Sequence, residues 1–94
     1  MILPSSMGFK LLISKKAQND LKQIDSVVAK RIVKKLKWFS KQSELEPFIV
    51  IMKKATTGDF RFRIGAYRAL GVINSRHTIV TIISIGHRND VYRL

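Results

Sequence analysis

A chain of 94 residues with 18 Lys and Arg against 6 Asp and Glu carries a formal net charge of +12, so it forms one small domain that attracts polyanions. Apolar residues make up 46% of it, enough for a core, and the charge therefore does not imply disorder. The absence of cysteine excludes disulfides, thiolate metal sites and a cysteine nucleophile, and 2 histidines with 6 carboxylates leave little from which to build a metal site, so no cofactor is expected.

Residues 1–7 lack a basic n-region, and the apolar run at 9–13 is too short for a signal sequence or a membrane span. They read as a loose lead-in to a single domain over 1–94, and the lack of cysteine fits a cytoplasmic setting. Residues 9–13 read as a first strand. Ser14 stands where an N-cap belongs, and Ala17, Leu21 and Ile24 follow at helical spacing, predicting a helix over 15–24. Asp25-Ser26 breaks that pattern and offers a second cap. From 27 to about 41, Val28, Ile32, Leu36 and Phe39 make one apolar stripe, with Lys30, Lys34, Lys37 and Lys41 opposite.

The polar stretch 42–47 ends in proline and reads as a loop, whereas 48–52 is apolar but too short to classify by period. A second loop covers 53–59. Residues 60–64 alternate strictly, Phe-Arg-Phe-Arg-Ile, as a strand with one buried and one wet face does. Gly65-Ala66 is a two-residue turn, 67–74 the next strand, and 78–85 a buried central strand ended by Gly86. The order predicts an α+β fold: an N-terminal strand, a helical hairpin, then an antiparallel three-strand meander. Both helices pack on one face of the sheet, and the other face stays open to water.

Arg61 and Arg63 are two apart on a strand and project from the same face. Arg68 follows the turn, and Arg88 and Tyr92 lie just past the last strand, so the four arginines converge near one end of the open face. Guanidinium groups grip phosphate oxygens through paired donors and keep their charge. A tyrosine beside them stacks on a splayed base or takes part in proton transfer. The plainer alternative is that arginines on such a strand only wet its outer side.

The block Arg63-Ile-Gly-Ala-Tyr-Arg68 and the tail Gly86-His-Arg-Asn-Asp-Val-Tyr92, at this spacing and in this element order, resemble the RelE/ParE toxin superfamily. The resemblance implies a toxin that cleaves mRNA in the ribosomal A site, restrained by a cognate antitoxin. It places the active site on Arg61, Arg63, Arg68, Arg88 and Tyr92, with the ribose 2′-OH attacking the adjacent phosphate. Lysines stand at the two strand positions in the best-known RelE. Arginine does not readily give up its proton, so Arg61 and Arg63 are cast as phosphate clamps and the general base is left unassigned.

His87 is the nearest titratable candidate, but as the neighbour of Arg88 in an extended segment it points to the other face, which favours a structural or RNA-contact role. Lys53, Lys54, Arg93 and the basic side of the second helix are candidates for holding messenger or ribosomal RNA by charge. An acidic antitoxin would neutralise the same surface. Two other functions share this fold: a ParE-like inhibitor of DNA gyrase, and an RNA-binding relic without catalysis. ParE-like members generally lack both the paired basic strand and the Arg-Tyr tail.

Overall fold

The computed structural model describes residues 2–3, 9–51, 59–74, 76 and 79–87. In chain order they form β1 (Ile2–Leu3), β2 (Lys10–Ile13), α1 (Lys15–Lys22), α2 (Ser26–Ser40), a 3-10 turn at Glu46–Phe48, β3 (Ile49–Ile51), β4 (Phe60–Ile64), β5 (Tyr67–Ile73) and β6 (Ile79–His87). Ser14 starts α1 as expected. Its Oγ accepts from the Ala17 N–H at 3.1 Å and donates to the Ile83 carbonyl at 3.1 Å, so one hydroxyl caps the helix and ties it to β6. The helix stops at Lys22, short of residue 24, because Gln23 and Ile24 donate to the carbonyls three residues back, at 3.1 and 3.2 Å, and tighten the last turn.

Asp25 takes the N-cap position of α2, yet its carboxylate makes no capping hydrogen bond. Burial of the apolar stripe holds this helix: Ile32, Leu36 and Phe39 are buried, with Val28 packed against them. Among the described residues, no helix is long and apolar enough to cross a membrane.

The strands form one mixed sheet in the order β1-β2-β6-β5-β4-β3. The meander is antiparallel as expected, and the first long strand closes the sheet by pairing parallel to β6, from Lys10↔Ile79 to Ile13↔Ile82. Two short strands extend the edges. One corrects the expectation of a loose lead-in: Ile2 and Leu3 pair with Leu12 and Leu11, satisfying backbone groups that β2 would otherwise leave at the rim. The other resolves the segment at 48–52, where Ile49–Ile51 run antiparallel to β4; Met52 lies outside the described residues.

Phe39 is the hub of the core. Its ring stacks on Phe62 at 4.0 Å and meets Phe9, Phe60 and Phe48 edge-on or tilted at 5.3, 6.3 and 6.4 Å. The Phe60 ring in turn lies over Gly71, where a Cβ would sit 2.5 Å from Phe60 Cζ. A bulge falls beside it: Leu70 pairs with Ser84 but Gly71 with Ile82, leaving Ile83 as the extra residue. The bulge resets the alternation, so that Ile82 and Ile85 both turn toward the helices and both are buried. β6 does not end at Gly86, as the glycine suggested; its ladder with β5 continues through Arg68↔Gly86 and Tyr67↔His87.

Candidate active site

The two-residue hairpin between β4 and β5 fixes the site. Gly65 occupies the first turn position with φ 59°, a left-handed conformation that glycine adopts without strain. This turn sets Ile64 opposite Tyr67 and therefore Arg63 directly opposite Arg68. Partners in an antiparallel ladder share a face, so the sheet away from the helices reads Arg63–Arg68–Gly86 in one line and Val50–Arg61–Leu70–Ser84 in the next. Three of the four expected arginines thus share one face at the hairpin end.

That face is not open throughout, contrary to expectation. Leu70 and Ser84, in its middle, are 0% and 4% exposed, while Arg63 is exposed and Arg61 and Arg68 are half-buried. The wet part is the strip beside the hairpin. Two guanidinium groups set opposite each other repel, and an anion between them removes the repulsion and receives a fork of donors from each side. Gly86, at the end of the same line, presents no side chain, so a ligand there meets backbone.

His87 falls on the other face. It pairs with Tyr67, and the two rings meet edge-on with centroids 5.7 Å apart, on the side of the sheet that Ile64 and Ile85 share. Three strand arginines are brought together, and His87 is not among them. Arg88, Tyr92, Arg93, Lys53 and Lys54 lie outside the described residues.

One contributor escaped sequence reasoning. Asp20 on α1 accepts the Ile85 N–H through Oδ2 at 2.9 Å and is itself held by Lys16 Nζ at 3.0 Å. The Lys16–Asp20 spacing is a readable helical pair. Nothing in the sequence connects Asp20 to a backbone amide 65 residues away.

Comparison with known proteins bears on the family and the fold. Residues 11–92 match the family model described as the ParE toxin of the type II toxin-antitoxin system parDE. Toxin RelG of Mycobacterium tuberculosis is 40% identical over 42 residues, a match spanning 45% of this chain and 48% of that protein, about half its length. The RelBE2 toxin-antitoxin complex of M. tuberculosis contains a chain of similar fold, with a TM-score of 0.70, 25% identity, and coverage of 83% of this chain and 95% of that one. The archaeal RelE-RelB complex of Pyrococcus horikoshii shares the fold at a TM-score of 0.66 and 19% identity, over 87% of this chain and 97% of that one. A family match running from β2 past the end of β6 takes in both helices, the meander and the arginine face, and the chain belongs to the RelE/ParE superfamily of toxins of type II toxin-antitoxin systems.

Proposed function

We propose that this toxin is an endoribonuclease that cleaves mRNA on the ribosome, without a metal ion, by attack of a ribose 2′-OH on the adjacent phosphate. The observation that carries the reading is the direct opposition of Arg63 and Arg68, with Arg61 on the same face. In the reaction the 2′ oxygen bonds to phosphorus as the P–O5′ bond breaks. The nucleophile loses a proton and the leaving oxygen gains one. The added negative charge of the phosphorane falls on non-bridging oxygens, where fixed guanidinium donors stabilise it more than they stabilise the ground state. Arg88 adds to this clamp, and Tyr92 stacks on a splayed base or relays a proton. Lys53, Lys54, Arg93 and the exposed lysines of α2 hold the messenger and ribosomal RNA.

The test is purified protein in a translating extract: new mRNA ends within the reading frame are the expected result, and intact mRNA beside folded toxin overturns the reading. A second function, inhibition of DNA gyrase, is favoured by the ParE description of the matching family model. A supercoiling assay separates the two, because only a gyrase inhibitor blocks supercoiling at stoichiometric protein. A relic that only binds ribosomes would crosslink to them and leave messages whole.

The partner we infer is an acidic antitoxin, cytoplasmic like its toxin. Two solved structures of similar fold are toxin-antitoxin complexes, and a net charge of +12 favours an anionic chain laid over the site.

A further inference from the structure

Arg63 belongs to two surfaces. On β4 it faces the proposed scissile phosphate, and it also lines a groove that passes the hairpin turn to helix α2. This groove, about 420 Å³, is walled by Arg31, Lys34, Lys35 and Trp38 on one side and by Arg63, Ile64 and Gly65 on the other. The four helical residues stand at i, i+3, i+4 and i+7, which makes them a single stripe, and all four are exposed. The stripe lies beside the Lys30–Lys37 side of the helix that the sequence marks as basic.

The groove has an apolar floor and a cationic rim. Trp38 is 39% exposed although it is large and apolar. Phe48 holds its ring edge-on at 4.9 Å, and Lys35 Nζ lies 4.0 Å from the ring centroid. A fixed aromatic surface in a groove lined by four cations, with no carboxylate among the lining residues, is the pairing that single-stranded nucleic acid uses: phosphates on the cations, a base against the ring.

We propose that this groove holds the same RNA strand a nucleotide or two away from the scissile phosphate, its phosphates on Arg31 and Lys34 and a base against Trp38. The choice of RNA rests on the ribonuclease reading and on continuity. A strand clamped at Arg63 is already at the mouth of the groove, and Gly65 leaves the turn without a side chain to block the crossing. An acidic peptide would use the rim but brings no base to set against Trp38.

Trp38 is the chain's single tryptophan, so its emission reports on this groove alone. The full chain is titrated with a 2′-O-methyl oligonucleotide of about ten nucleotides, which suits single-stranded site sizes and cannot be cut because its nucleophile is blocked. Unlabelled strand is used for emission and dye-labelled strand for anisotropy. The expected result is quenching of Trp38 with the same midpoint as the anisotropy. The variant Arg31→Gln/Lys34→Gln/Lys35→Gln should bind about tenfold more weakly and lose about 2 from the salt slope.

Anisotropy that rises while Trp38 stays unchanged overturns the proposal, and so does a triple variant with the wild-type slope. Polyglutamate that quenches Trp38 at lower concentration than the oligonucleotide gives the groove to an acidic peptide and also overturns it. Failure of any oligonucleotide to bind overturns this proposal, and new mRNA ends in the translating extract beside that failure leave the ribonuclease reading standing. Quenching by RNA beside intact mRNA in the translating extract sinks the ribonuclease reading alone.

Discussion

Asp20 Oδ2 accepts a hydrogen bond from the backbone N–H of Ile85 at 2.9 Å, joining α1 to the stretch of β6 that lies beyond its bulge. β2 ends at Ile13, so past Ile82 the rim of β6 has no strand partner on that side among the described residues. Ser14 takes the Ile83 carbonyl and Asp20 takes the Ile85 amide, and two side chains thus replace the missing strand. Asp20→Ala leaves that amide without its acceptor and should cost about 1–3 kcal/mol, whereas Asp20→Asn keeps an oxygen there and should cost about 1 kcal/mol or less. Urea unfolding gives the energies, and faster hydrogen exchange at Ile85 in the alanine variant locates the loss. Equal costs for the two variants would mean that the bond itself contributes little.

Gly71→Ala should destabilise by about 1–3 kcal/mol, because the new methyl meets the Phe60 ring in a packed core. Phe60→Leu in the same chain should return part of that loss, since the two residues share one space. A strictly additive double variant in urea unfolding would show that the methyl clashes elsewhere.

Phe39→Ala removes the ring on which four other phenylalanines converge. It should cost about 3–5 kcal/mol, and in a domain this small that comes close to abolishing the folded state. Thermal unfolding by circular dichroism measures it.

Arg63→Gln should separate activity from stability. Cleavage in a translating extract is expected to fall by about 10²–10³, the scale of one lost transition-state donor. The folded state should change by less than about 0.5 kcal/mol, since the Arg63 side chain is exposed. A variant that is both active and less stable would assign Arg63 to the fold instead.

His87→Gln tests the placement of His87 across the sheet from the arginines. The expected rate loss is below about tenfold, against 10² or more, in round terms, for the removal of a proton acceptor. A larger loss with the fold intact would bring His87 back as the base.

What was legible in the chain follows the range of the forces involved. The strict alternation at 60–64 put Arg61 and Arg63 on one face, and Gly65-Ala66 set the hairpin register that opposes Arg63 and Arg68. Both signals lie within a few residues. The stripe Ile32, Leu36 and Phe39 was equally local and equally plain. The bulge at Leu70/Gly71 was hidden, since it is a register shift between two strands and leaves no period in either one. Gly86 read as a stop because glycine is poor in strands, yet pairing with Arg68 outweighed its propensity. The strand at Ile2–Leu3 was missed because two residues carry no period at all. For His87 the two agree: alternation with Arg88 argued it away from the arginines, and its pairing with Tyr67 sets it on the helix side.

The parallel pairing of β2 with β6 also governs when the molecule comes into being. Ser14 meets Ile83 across 69 residues of sequence, so the sheet has its middle strand only after the last of the meander has emerged. Until β6 is made, α1 lacks the strand it packs on, and the arginines of β4 and β5 lack their neighbouring strand. Contacts of such separation are slow to form and are made last. The sheet that carries the arginine face is therefore complete only when the C-terminal part of the chain is in place.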